Sequence, residues 1–161
     1  MKMKGEIKLK ALIIALALPL AAGALAAFLT ADSMKLFELM PKPPLSPPGW
    51  LFAPVWTALY ILMGAASYLV WVSDASAVRK ERALTLYVMQ LAANFVWPLI
   101  FFGMELYLAA FLWLLLLWVL AALTTLMFWY ISERAGKLIL PYMLWLSFAA
   151  YLNFGIWLLN R

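Results

Sequence analysis

The sequence predicts an all-α integral membrane protein, a bundle of five transmembrane helices with a proline-rich first loop, and three observations carry that prediction. Of the 161 residues, 68% are hydrophobic and only 12% charged, with a mean hydropathy of +0.98, far above an ordinary soluble domain. Five stretches free of Asp, Glu, Lys and Arg (residues 11–31, 50–73, 83–104, 106–132 and 138–160) are each long enough to cross about 30 Å of hydrocarbon as a helix. None alternates in polarity as a barrel strand would, and in lipid a helix satisfies its own backbone groups.

The first stretch follows a basic start (Lys2, Lys4, Lys8, Lys10), a pattern that secretory signals share. Signal h-regions run about 7–15 residues, whereas residues 11–31 can span, so this segment is read as a retained helix. Pro19 lies inside it, leaves the Ala15 carbonyl without its usual donor and predicts a kink. Small residues recur at four-residue spacing (Ala17/Ala21, Ala22/Ala26, Gly23/Ala27), which predicts close helix packing.

A long first connection follows, roughly residues 32–49. Its end reads KPPLSPPGWLFAPVW (42–56), in which Pro43, Pro44, Pro47 and Pro48 form a semi-rigid extended strap with few backbone donors. Pro54 suits the first turn of the second helix, and Trp50 suits the lipid interface. The strap, with Lys42, Pro43, Pro47, Pro48 and Trp50, is expected to act as a lid.

In the third helix Pro98 cannot donate to the Asn94 carbonyl, so a bend is expected beside Asn94 and Trp97. Gly103-Met104-Glu105 turns straight into the fourth helix, which makes the two antiparallel neighbours. The fifth carries Trp145, Ala149 and Asn153 on one face, and Trp56 shares a face with Tyr60 in the second. An aromatic ring followed by space and an amide suits a flat apolar ligand, and also suits aromatic packing between helices.

Orientation comes from the cations: nine Lys and Arg fall on the amino-terminal side and three (Lys35, Lys42, Arg161) on the other. The positive-inside rule puts the amino terminus in the cytoplasm. The net charge of +5 is thereby explained at helix ends, and no nucleic-acid partner is expected. With no Cys and no His, thiolate and imidazole chemistry is closed, and neither a metal site nor a cofactor is expected. No helix interior holds an Asp, Glu, Lys or Arg, which argues against an ion-coupled pump. The intramembrane amides Gln90, Asn94 and Asn153 can orient a ligand but are poor acids and bases.

Several segments, in order, resemble the tryptophan-rich sensory protein or translocator protein (TspO/MBR, peripheral benzodiazepine receptor) family. They are Lys42-Pro43 with Pro47-Pro48 and Trp50, PVWTALYILMGAASYLVW (54–71), QLAANFVWPLIFFG (90–103) and PYMLWLSFAAYLNFGIW (141–157). The resemblance implies one domain over 1–161, a homodimer, and a cavity for porphyrins such as protoporphyrin IX or haem, sterols, and benzodiazepine-type drugs. It places Phe52, Ala53, Trp56, Asn94, Trp97, Trp145, Ala149 and Leu152 in that cavity. It also names Trp56 and Trp145 as candidates for light-dependent porphyrin breakdown.

There are two departures. Leu36-Phe37 stands where relatives have a Trp-Tyr pair. Phe154 stands for the tyrosine of the animal cholesterol pattern, with no Lys or Arg until Arg161, which puts sterol binding in question. The chain lacks the longer basic tail of animal mitochondrial forms, so a prokaryotic cell membrane is expected. A non-enzymatic receptor or carrier is the first functional reading, photo-oxidative porphyrin degradation the second, and a structural or regulatory membrane subunit the third.

Overall fold

The computed structural model describes residues 2–161, with side chains from residue 8 onward, so the Lys2 and Lys4 side chains of the charge tally lie outside the described residues. Among these residues six α-helices follow in order: α1 (Lys2–Leu29), α2 (Ala31–Leu39), α3 (Phe52–Trp71), α4 (Ala77–Pro98), α5 (Tyr107–Ile131) and α6 (Glu133–Leu159). Five of them, α1, α3, α4, α5 and α6 with their flanking turns, are long and apolar enough to cross a membrane. Among the described residues there is no strand. The protein is a multi-pass integral membrane protein.

Helices α4 and α6 begin earlier than their charge-free stretches, which start at residues 83 and 138. The reason is capping. Ser76 Oγ accepts from the Arg79 N–H at 3.4 Å, and Ser132 Oγ accepts from the Ala135 N–H at 3.4 Å. Each hydroxyl occupies a donor left free in the first turn, so both helices begin with an exposed charged turn before the apolar span. At the other end of α4, the chain passes Pro98 and widens into a π-turn over Leu99–Gly103, as expected where a proline has removed a backbone donor. Glu105, at φ 56°, then reverses the chain into α5. Helix α1 runs through Pro19 without ending.

The first connection corrects the expectation of a loop from residue 32. Residues Ala31–Leu39 are helical, with Asp32 in the first turn and Phe37 buried, and the irregular strap begins only at Met40. No proline occurs before Pro41 to stop that helix, and Met34 and Phe37, three residues apart, both pack against the core.

Neighbouring spans form a ring: α1 on α3, α3 on α6, α6 on α5, α5 on α4, and α4 back on α1 through a thinner seam. The half of the bundle away from the strap is tightly packed around Met63, Ala66, Val70, Tyr87, Phe128 and Ile139, all at most 2% exposed. A close crossing occurs at Gly64 of α3, where a Cβ would lie 2.6 Å from the Ala15 carbonyl oxygen and 2.9 Å from Leu16 Cα. Only glycine lets these two backbones approach so closely.

Candidate functional site

At the strap end, α1, α3 and α4 diverge and leave a cavity of about 530 Å³. Its wall is built from small residues on one side and aromatic ones on the other. Helix α1 contributes Gly23, Ala24, Ala26 and Ala27, and α3 contributes Phe52, Ala53, Trp56 and Tyr60. Asn94, Trp97 and Pro98 of α4, with Phe102 beyond it, form the third side, and Met34 of α2 and Gly49 close the end. Such a volume falls within the range of about 300–1,000 Å³ usual for small-molecule sites.

The wall is less polar than its residue types suggest. Thr30 Oγ1 donates to the Ala26 carbonyl at 2.9 Å and Thr57 Oγ1 to the Ala53 carbonyl at 2.8 Å, so both hydroxyls are spent on their own helices. Trp97 Nε1 donates to Asn153 Oδ1 at 3.1 Å, and Asn153 Nδ2 donates to the Tyr107 carbonyl at 2.8 Å. Trp97 is thereby fixed in orientation, with its N–H already engaged.

What remains polar is one pole, Tyr60 with Asn94, and it heads a buried chain of hydrogen bonds. Tyr60 Oη donates to Asn94 Oδ1 at 2.8 Å, and Asn94 Nδ2 donates to Tyr142 Oη at 3.0 Å. Tyr142 Oη then donates to Gln90 Oε1 at 2.8 Å, and Gln90 Nε2 lies 3.7 Å from Met63 Sδ. The chain ties α3, α4 and α6 together in a medium that offers no water to replace a lost partner. Asn94, buried and bonded through both ends of its amide, thus braces three helices from within the cavity wall.

Of the residues anticipated from the sequence, Phe52, Ala53, Trp56, Asn94 and Trp97 line this cavity together. Trp145, Ala149 and Leu152 of the last span do not; the cavity lies between the first three spans. Ala149 and Leu152 are buried, 7% and 6% exposed. Trp145 stands behind the wall, edge-on to Trp56 (centroids 6.4 Å apart, 89°) and to Phe52 (6.0 Å, 70°), with a buried Nε1 that lacks a partner among the described residues. Trp56 stacks on Tyr60 at 5.5 Å and 28°, as their spacing of four residues anticipates. Sequence reasoning missed the α1 residues as lining, because a stripe of small residues reads as packing, and it missed Met34 with the helix that carries it.

The strap is placed differently from a lid over this cavity. None of Lys42, Pro43, Pro47, Pro48 or Trp50 lines it; the adjoining Gly49 does. The strap lies instead along α6. Tyr151 Oη donates to the Pro44 carbonyl at 2.8 Å, Asn160 Nδ2 donates to the Pro41 carbonyl at 3.1 Å, and Pro43 fills the space left by Gly155. Lys42 caps α2 through the Glu38 carbonyl at 2.8 Å and sits 4.9 Å from the centre of the Phe37 ring. Trp50 is 71% exposed, as an interfacial anchor would be. Removing both bonds to α6 (Tyr151→Phe with Asn160→Ala) should cost the strap about 1–2 kcal/mol. A spin label on Leu45→Cys, a site 83% exposed in this cysteine-free chain, should then become more mobile by electron paramagnetic resonance; unchanged mobility would show that the prolines alone hold the strap.

No group of three or more His, Cys, Asp or Glu side chains that could hold a metal ion occurs among the described residues. The cavity is thus apolar and aromatic, with one amide–phenol pair, Asn94 and Tyr60, in its wall.

The same chain finds close relatives. It is 39% identical to the translocator protein of Ovis aries over 136 residues, covering 83% of this chain and 80% of that one. It is 41% identical to the tryptophan-rich protein TspO of Chlorobaculum tepidum over 124 residues, 77% of this chain and 78% of that one. The tryptophan-rich protein TspO of Archaeoglobus fulgidus matches at 37% over 155 residues, 96% of this chain and 97% of that one. The TspO/MBR family model matches residues 15–158, from the middle of α1 to the end of α6, and the chain belongs to the TspO/MBR family.

Proposed function

We propose that this protein is a membrane receptor or carrier that takes up porphyrins, protoporphyrin IX first among them, in the cavity between its first three spans. The observation that carries the reading is the cavity's wall. Indole and phenol faces of Trp56, Trp97 and Tyr60 offer stacking surface, the small residues of α1 leave the width, and Asn94 supplies the one orienting amide. Relatives that bear the name translocator protein support delivery or movement of the bound molecule. Without imidazole or thiolate in the chain, recognition falls on the macrocycle rather than on a metal within it. Haem, sterols and benzodiazepine-type compounds are further candidates for the same space. The reading includes a homodimer in a prokaryotic cell membrane with its amino terminus in the cytoplasm, the side favoured by the cations.

Metal-free protoporphyrin IX, titrated into the protein in lipid nanodiscs, should quench tryptophan fluorescence saturably. Trp56→Leu should weaken binding by up to roughly tenfold, the worth of one good aromatic contact. Linear, non-saturating quenching in the wild type would overturn the reading.

A second reading, light-driven breakdown of the bound ring, is favoured by one contact: Trp145 stands edge-on to Trp56, so the indole in the wall has a second indole behind it. In that scheme the excited ring passes its energy to dioxygen, the singlet dioxygen adds across a methine double bond, and the dioxetane opens to two carbonyls with both oxygen atoms kept on the opened ring, while Trp56, braced by Trp145, holds the ring in place. Illumination in air should then bleach bound pigment faster in the wild type than in Trp145→Phe. Equal rates would remove this activity and leave binding intact.

A further inference from the structure

Gly23 of α1 and Tyr60 of α3 share one volume. A Cβ on Gly23 would overlap the Tyr60 ring, lying 2.7 Å from Cδ2 and 2.8 Å from Cζ. Both residues line the cavity, and the ring is held on its remaining sides. Trp56 stacks on it at 5.5 Å, and its hydroxyl is fixed on Asn94, which is itself tied to Tyr142. A ring displaced from α1 therefore has to give up its stack or its hydrogen bond and move into the open space of the cavity.

We infer that Gly23 is a specificity-determining residue of this cavity: by leaving room for the Tyr60 ring against α1, it sets the breadth of the ring system that the cavity admits. The inference rests on the reading of the cavity as a site for flat ring ligands, and assigns its width to one pair of residues. Gly23 touches the ligand's space chiefly through Tyr60. Any side chain at position 23 narrows the cavity even though it replaces only a hydrogen, and a broad macrocycle suffers more than a two-ring compound.

The absence of cysteine gives a readout that needs no ligand. Ala26 lines the cavity and is only 4% exposed, so a thiol introduced as Ala26→Cys is reached through the cavity. In nanodiscs, Gly23→Ala should slow labelling of that thiol by a bulky maleimide about tenfold. Adding Tyr60→Leu should bring the rate back to that of Tyr60→Leu without the glycine change, whereas adding Tyr60→Phe, which keeps the ring, should not. Protoporphyrin IX affinity should follow the same order, falling at least tenfold in Gly23→Ala, with indole affinity falling less than threefold. A Gly23→Ala chain that fails to fold should likewise be recovered by Tyr60→Leu and not by Tyr60→Phe. Labelling unaffected by Gly23→Ala, or a loss that Tyr60→Leu does not relieve, overturns the inference. A wild type that binds no porphyrin overturns the functional reading instead, while the labelling series still decides the pair.

Discussion

Gly64→Ile is expected to detach the first span from the second and to abolish ring binding with it. The new side chain would meet the Ala15 carbonyl and the Leu16 Cα, both backbone atoms that cannot rotate aside. Relief requires the helices to separate, and overpacking of this kind costs about 1–3 kcal/mol. In lipid the loss is felt in full, because no hydrophobic force draws two helices back together once their close packing is broken. Helix α1 is the most exposed of the five spans, with only 11% of its apolar window buried inside the protein, and its main neighbour is α3. It also carries Gly23, Ala24, Ala26 and Ala27, a whole side of the cavity. Thermal unfolding in nanodiscs should start at lower temperature, and saturable quenching by protoporphyrin IX should disappear. Gly103→Ala, with nothing within 4 Å of the added Cβ, should change neither. Wild-type binding by Gly64→Ile would mean that the α1–α3 crossing does not hold the wall.

Asn94→Leu is expected to have the second largest effect, in two separable parts. It removes the acceptor of the Tyr60 hydroxyl and the donor to Tyr142. Interhelical hydrogen bonds in membranes average about 0.6 kcal/mol and reach about 1.7, so the pair is worth roughly 1–3 kcal/mol. The same change removes the amide edge from the cavity. Tyr142→Phe breaks the chain one step further on, at a residue that does not line the cavity, and should lower stability comparably while costing ligand affinity far less. Equal losses of affinity in the two variants would show that the amide acts only as a brace.

The five spans were legible because charge-free length is a direct requirement of a bilayer, and the face joining Trp56 to Tyr60 was legible because a helix brings residues four apart together. Helix starts were not, because Ser76 and Ser132 cap turns whose charged residues break the apolar pattern. Helix α2 was hidden by its nine residues, too few for a periodic signal beside a proline-rich tract. The cavity was half visible. Its aromatic side announced itself through Trp56, Asn94 and Trp97, but its other side is made of glycine and alanine, and those residues serve contact and vacancy alike. Gly64 marks a place where two backbones touch, and Gly23 a place where a ring needs room. Which one a glycine serves depends on the neighbouring helix, which pattern within one segment does not encode. Trp145 failed to reach the cavity for a related reason: its own helix turns the indole toward Trp56 and Phe52, which occupy the wall in front of it.

The anchoring of the strap to α6 bears on the order in which this protein is made. Every residue that lines the cavity, from Leu20 to Phe102, is added to the chain before α5 begins. Partners that fix those residues come last, Tyr142 for Asn94 and Asn153 for Trp97, and so do Tyr151, Gly155 and Asn160, which hold the neighbouring strap. A nascent chain thus carries all of its binding surface through the synthesis of two further spans with only the α1–α3 crossing and the Tyr60–Asn94 bond to hold it in shape. The last span completes the bracing of that surface, and a premature stop before residue 142 leaves the walls of a cavity without the bonds from Tyr142 and Asn153 that fix Asn94 and Trp97.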